Sequence, residues 1–407
     1  MWLYLVLLVL PIGMLVAKRR ASLDSITALV VWFALTIWVG LRRGVGGDWN
    51  NYELLFERAA ANPLIIAIGS IDAGYAGLSK LVAAMGFGIG VLNLLSAATF
   101  SAGLVLFCRR QPYPALAMLI ALPVLVLVVA HGYTRQSVAV GLVMIALSGY
   151  SNGKKALGHT FLAAAGLFHY SAIVFLPLAL TMGGKLRLPL WAALGLGLGA
   201  GAGASLVLPS LDPSIAPAIV DASVAGGALF RLAPTFAALG VFLLWRRRFD
   251  FNEGERAIAV YLSAITLLLA AMIFTMPTAA DRLGLYTVPF QMMIFSHALR
   301  TVPSERWRVG AGALLSAGYI VLFVGWLALS PYGRCWSPYR SYISSPSELL
   351  RKPGQRVAFD EPAACRDVKR ASSKQRPGRA RPVPPWARHF KNARDVAPGI
   401  ASSSSKT

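Results

Sequence analysis

The stretch ALGHTFLAAAGLFHYSAIVFLPLAL, Ala156 to Leu180, decides how this chain is folded. A helix needs about 20 apolar residues to cross the hydrocarbon of a bilayer. These residues therefore form either one span or, broken at His169-Tyr170-Ser171, two short arms. The flanking charges separate the two readings, because Lys154 and Lys155 precede the stretch while Lys185 and Arg187 follow it. One span exports Arg246-Arg247-Arg248 further on, against the tendency of basic clusters to stay cytoplasmic. A hairpin turning near His169 keeps all of these groups inside, and it is the reading adopted.

Apolar runs recur on both sides of this hairpin, at 2–16, 25–41, 91–107, 115–130, 136–150, 190–208, 229–245, 257–275, 283–298 and 309–329. With the hairpin they predict an all-α polytopic membrane protein, a bundle of about 11–12 transmembrane helices with both termini outside. Composition agrees: 56% of the 407 residues are hydrophobic and 14% charged, where a soluble domain carries about 25% charged residues. Mean hydropathy is +0.60. A soluble enzyme, a disordered scaffold and a disulfide-rich secreted module are excluded. The net charge of +22 does not indicate nucleic acid. From residue 331 onward there are 16 basic against 5 acidic residues, so half the excess lies in a basic tail, 331–407, expected to be largely disordered. The rest sits in short clusters between spans. The three cysteines are far apart and form no CxxC, so a zinc or thioredoxin-like motif has no support. Outside the cell membrane, Cys335 and Cys365 would meet an oxidising compartment that permits pairing.

Within the membrane domain, 1–330, this topology places Arg42, Arg43, Asp48, Tyr52, Asp72, Arg135, Gln136, His169, Asp281 and Arg282 at or near the outer ends of spans. Polar groups near membrane depth are costly and tend to be functional or paired; their convergence on one side is the informative feature. The outer loop 42–88 is the longest, and its stretch 63–86 reads as one or two interfacial helices, a lid over a lipid-linked substrate or a helix that only packs on the bundle. Gly44-Val45-Gly46-Gly47-Asp48-Trp49-Asn50-Asn51-Tyr52 combines tight-turning glycines with charge of both signs. It is a candidate anion or sugar site, or a simple interfacial turn, and lacks P-loop spacing.

The order of motifs resembles the EpsG-like members of the Wzy-type polysaccharide polymerases. The resemblance runs through Arg42 with Gly47-Asp48-Trp49 to Tyr52, then Asp72-Ala73-Gly74-Tyr75 and Thr134-Arg135-Gln136-Ser137. It continues through Phe168-His169-Tyr170-Ser171-Ala172, Arg282 to Tyr286, and Trp336-Ser337-Pro338-Tyr339. It covers about residues 1–342 and departs at Asp72, where the family more often has Glu, and at Ala73, where Pro is common. It implies a GT-C-like helical bundle in the cell inner membrane. Such a membrane glycosyltransferase joins undecaprenyl-pyrophosphate-linked oligosaccharide repeats at the periplasmic face, for exopolysaccharide, capsule or O-antigen. A flippase and a chain-length regulator are then the expected partner proteins, with no cofactor and no required metal, although Asp48 can ligate one.

The chemistry suits these residues. Arg matches bidentate phosphate recognition, so Arg135, then Arg282 and Arg42, are the pyrophosphate candidates, with Gln136 beside them. The attacking hydroxyl must lose a proton to a carboxylate or imidazole, either Asp48 or His169. Tyr52, Asp72 and Tyr286 complete the substrate-binding set. Blander readings stand beside these. His169 can hydrogen-bond a carbonyl freed by the helix break, Asp281 can pair locally with Arg282, and Tyr75 and Trp336 read as interfacial-belt aromatics. Gly195, Gly199 and Gly203 form a row that lets helices approach closely. The alternative function is a transporter or flippase for lipid-linked oligosaccharide, which would place polar groups near the midplane and show internal repeats.

Overall fold

The computed structural model describes residues 2–16, 23–68, 71–182, 222–354 and 365–367, with positions 189, 192, 195, 196 and 199 between. Among these residues the chain is helical and forms no strand. In order come α1 (Trp2–Val16), α2 (Ser25–Gly40), α3 (Trp49–Ala61), α4 (Leu64–Ile68), α5 (Ala73–Ala84), α6 (Ile89–Cys108) and α7 (Pro114–Ala121). Then follow α8 (Thr134–Ser151), α9 (Lys155–Phe168), α10 (Leu176–Met182), α11 (Ala222–Trp245) and α12 (Glu253–Met272). α13 (Pro277–Gly284), α14 (Val288–Thr301) and α15 (Glu305–Leu329) complete the bundle. α6, α12 and α15 are long and apolar enough to cross a membrane, and several shorter apolar helices accompany them.

Burial sorts the helices. Every residue of α7 is buried, and so is nearly all of the π-helical stretch Leu122–Ala130 that continues it. A helix apolar on all sides belongs at the centre of a bundle. Pro123 lacks the N–H that an α-turn needs, which accounts for the wider turn at this point. α14 is buried from Val288 to Leu299. α15 buries only Tyr319, Phe323 and Leu327 and forms the rim. α6 and α8 meet backbone to backbone: a Cβ on Gly103 would fall 2.0 Å from the Gly141 carbonyl oxygen, and one on Gly141 would fall 2.6 Å from Phe100 Cα. Such contact is available only to small residues.

The stretch 156–180 does reverse. α9 ends at Phe168, His169 is extended (φ −156°, ψ 120°), and a 3₁₀ turn, Tyr170–Phe175, leads into α10. The arms lie side by side, with His159 Nε2 2.9 Å from the Ala179 carbonyl oxygen.

The loop 42–88 is largely helical from Trp49 onward. The stretch 63–86 yields α4 and α5, and Trp49–Ala61 adds α3, which the sequence reading had left unassigned. Trp49, Tyr52, Leu55, Phe56 and Ala59 recur at helical spacing and pack against Tyr75, Ala76 and Val82 of α5. Tyr75 is therefore a core residue and not a belt aromatic.

The segment after α15 packs back onto the start of the chain. The compact unit runs Met1–Glu361, because the segment after α15 binds through backbone groups that composition does not reveal. Arg42 bridges Ser341, the Arg43 N–H reaches the Arg340 oxygen at 2.9 Å, and the Tyr342 N–H reaches the Leu41 oxygen at 2.8 Å. Trp336 is 3% exposed, donates from Nε1 to the Leu127 oxygen at 2.8 Å and packs edge-on to Trp326, so it too is no belt aromatic. In the second unit, Pro362–Thr407, the described helical turn holds a buried, disulfide-bonded Cys365; Cys335 is also disulfide-bonded, and Cys108 is free. Lys18-Arg19-Arg20, Lys185, Arg187, most of the run 190–208 and the tail beyond 367 lie outside the described residues. Among the described residues an added Cβ at Gly195 or Gly199 would meet nothing within 4 Å, and Gly203 lies outside them.

Arg42 is the structural pin of this end of the bundle. It is 2% exposed and donates from Nε to the His131 oxygen (3.1 Å), from Nη1 to the Val39 oxygen (2.8 Å) and from Nη2 to Thr134 Oγ1 (2.7 Å). It thereby ties the end of α2, the end of the π-helix and the start of α8. Arg42→Gln should lower the melting temperature in detergent far more than Arg135→Gln. A buried hydrogen bond to a charged group is worth about 1.5–3 kcal/mol, and Arg135 is partly exposed. Gly103→Ala should cost about 1–3 kcal/mol through overpacking, seen as a lower melting temperature. Gly310→Ala, where a Cβ would meet nothing within 4 Å, should leave it unchanged.

Candidate functional site

The N-terminal turn of α8 supplies Arg135 and Gln136, which face residues from the loop 42–88, the α9–α10 turn and α13. Arg135 Nη1 donates to Asp72 Oδ2 at 2.7 Å, and its guanidinium carbon lies 6.0 Å from the Tyr52 ring centroid. Asp72 uses its second oxygen to accept the Tyr170 N–H at 3.3 Å. Both oxygens of Asp72 are thus engaged within the protein, one of them by Arg135. The Nε of Arg135 is buried without a partner, as is Oε1 of Gln136. Buried polar atoms left unpaired are uncommon and call for an explanation; here both can be satisfied by an incoming ligand.

A second guanidinium, that of Arg282, belongs to the same cluster, because it and Arg135 both act electrostatically on His169. Gln136 Nε2 donates to the Arg282 carbonyl oxygen at 2.8 Å, and the Arg282 guanidinium lies 4.0 Å from the Tyr133 ring centroid. A cation so placed is held by the ring face without losing its charge. Asp281 does not pair with Arg282 as expected. Its carboxylate accepts from Arg231 Nε at 2.6 Å, which leaves Arg282 free to turn toward the cluster. Asp48 caps α3 by position but makes no side-chain cap bond. Its carboxylate acts electrostatically on Tyr52, Tyr133 and Arg282. Among the described residues it has no ion-pair or hydrogen-bond partner, making it the available carboxylate of the site.

His169 sits at the hairpin turn, outside the spanning arms. Its Nδ1 accepts the Ser171 N–H at 3.3 Å and lies 2.6 Å from Ser171 Oγ, which in turn lies 3.1 Å from the Tyr286 hydroxyl. Burial, aided by the guanidinium groups of Arg135 and Arg282 and opposed by Asp72, holds its pKa down to about 4. The neutral ring with Nδ1 accepting carries its proton on Nε2, so this histidine presents a donor. Tyr286, fully buried, supports His169 through Ser171 and does not itself line an open site.

Of the nine residues singled out, the structure gathers Asp48, Tyr52, Asp72, Arg135, Gln136, His169, Arg282 and Tyr286. Arg42 belongs to the frame, with its donors spent on protein acceptors. Tyr133 and Arg231 were missed. Tyr133 directly precedes the Thr134-Arg135 motif, and Arg231 is a lone charge inside an apolar run, which was the available signal that it needed a partner. What the arrangement offers chemically is two guanidinium groups, an unpaired donor on Arg135 and an unpaired acceptor on Gln136, one carboxylate without a partner among the described residues and one neutral imidazole donor.

The model of the EpsG family matches residues 25–341. No curated protein and no solved structure matches the chain. The matched stretch begins at the first residue of α2 and ends at Ser341, where the chain returns to Arg42. It thus encloses the whole charged cluster and its frame, and this helical membrane chain belongs to the EpsG family.

Proposed function

We propose that the protein is a polysaccharide polymerase that joins undecaprenyl-pyrophosphate-linked repeat units at the outer face of the inner membrane. Arg135 and Arg282 beside Gln136, inside a family linked to polysaccharide polymerisation, carry the reading. On this reading the acceptor hydroxyl attacks the anomeric carbon of the donor glycan. The C–O bond to the pyrophosphate breaks, its electron pair leaves with the lipid pyrophosphate, and the hydroxyl proton passes to the Asp48 carboxylate. Charge grows on the leaving group as that bond breaks, so preorganised guanidinium groups stabilise the transition state more than the ground state. His169 donates from Nε2 to a sugar or phosphate oxygen. It is not the base, because its accepting nitrogen is taken by Ser171.

Removing one preorganised donor costs about 10²–10³ in rate, so Arg135→Ala should nearly abolish polymer at normal protein levels. Arg135→Lys should rescue in part, keeping charge without the planar fork. The measurement is polysaccharide chain length in a null strain complemented with each variant. Full-length polymer from a stable Arg135→Ala, Arg282→Ala double variant refutes the mechanism. Lipid-linked repeats trapped on the cytoplasmic side would identify a flippase.

The assignment of the base has its own test. Asp48→Asn should cost about 10²–10⁴ in transfer, whereas His169→Gln, which keeps a donor, should retain most of it. With the His169 pKa near 4, the ring stays neutral through mildly acidic conditions. The pH–rate profile of membranes should therefore show no inflection near 6.5. A loss centred at an ordinary histidine value would return the base role to His169.

A further inference from the structure

At the far end of α8, about 22 Å along its axis from Arg135, lies a cavity of about 1310 Å³ that shares no residue with the charged cluster. Its wall is apolar at Phe242 and Val260 and basic at Lys155, Arg246, Arg247 and Arg256. One acidic residue, Glu253, lines it as well. The side chains of the four cations make no ion pair or hydrogen bond among the described residues.

A second observation concerns a residue of the same wall. Tyr150 lines the cavity and is 2% exposed, and its hydroxyl is buried without a hydrogen-bond partner. The residue is firmly seated. A Cβ on Gly158 would fall 2.2 Å from the Tyr150 ring, and one on Gly254 would fall 2.3 Å from its carbonyl oxygen. α9 and α12 thus close against Tyr150 and fix it in place. Retention of basic residues on the cytoplasmic side explains positive charge at a helix end, but it requires neither a hollow nor an unpaired buried hydroxyl.

We propose that this cavity is a second binding site, for a phosphate-bearing ligand. The three guanidinium groups and the Lys155 ammonium take the phosphate oxygens, the Tyr150 hydroxyl donates to one of them, and the apolar wall takes whatever chain the phosphate carries. This chemistry fits a lipid headgroup or a soluble phosphate, and it does not depend on the polymerase reading.

The test uses the full chain in detergent. Dioleoylphosphatidylglycerol, dioleoylphosphatidylcholine and inorganic phosphate are titrated, with bound lipid read by native mass spectrometry and stability by melting temperature. Phosphatidylglycerol should be retained about tenfold over phosphatidylcholine, and Arg246→Gln, Arg256→Gln should remove that preference, as expected when charge-assisted hydrogen bonds are lost. Tyr150→Phe, which alters no charge, should weaken retention severalfold and keeps the test valid if the double variant does not fold. Arg306→Gln, a basic change outside the cavity, should leave retention intact. Stabilisation by inorganic phosphate that the cavity variants abolish, without lipid preference, assigns the site to a soluble phosphate. The proposal is overturned if neither ligand distinguishes wild type from the cavity variants, or if Arg306→Gln weakens retention as much as they do.

Discussion

A guanidinium taken out of water must be given acceptors, and in this protein the burial of Arg42 organises everything near it. Its three acceptors come from the end of α2, the end of the π-helix and the first residue of α8. Because the charge cannot be left unpaired in an apolar bundle, these three chain segments must meet at one point. The loop that follows Arg42 is thereby aimed across the start of α8. Gly46 holds φ +99°, and a Cβ there would fall 2.5 Å from the His131 oxygen, so the turn can pass this close only without a side chain. Asp48 and α3 are set down directly afterwards.

The cluster built on this frame divides its labour. Asp72 and Tyr52 hold Arg135, Tyr133 supports Arg282, and Ser171 with Tyr286 orients His169. Each group that could meet a substrate is thus backed by one that cannot, and preorganisation of this kind is what electrostatic stabilisation requires. Asp48 is the exception, a carboxylate without an ion-pair or hydrogen-bond partner among the described residues, and it is the proton acceptor in the proposed mechanism.

Much of this was legible because charged residues stand out in an apolar chain. Asp48, Asp72, Arg135, Gln136, His169 and Arg282 were found by their place at the ends of apolar runs, and the hairpin by the polar break at His169. Roles were harder than locations. Arg42 and Arg135 look alike in sequence, and only the supply of acceptors separates a buried pin from a ligand-facing group. Asp281 sits beside Arg282 in the chain, yet successive residues on a helix do not face each other, so its partner came from α11. The fold of 331–354 was illegible for another reason: it is joined to residues 41–46 mainly through backbone N–H and C=O groups, which carry no side-chain signal. Tyr75 and Trp336 were misread because an aromatic ring near an interface suits a lipid belt and a protein core equally well.

The return of the chain from α15 to the loop after α2 also has a temporal meaning. The Cys335 oxygen accepts the Gly46 N–H, Arg340 and Tyr342 bracket Arg43 and Leu41, and the Trp336 carbonyl receives the Tyr4 hydroxyl. These contacts join α1 and the loop after α2 to residues translated after α15. A ribosome that has delivered α15 has already placed every charged residue of the cluster in the membrane, but the loop that carries Asp48 still lacks its clasp. On the proposed reading, the loop that carries Asp48 is fixed in place only after α15 has been made.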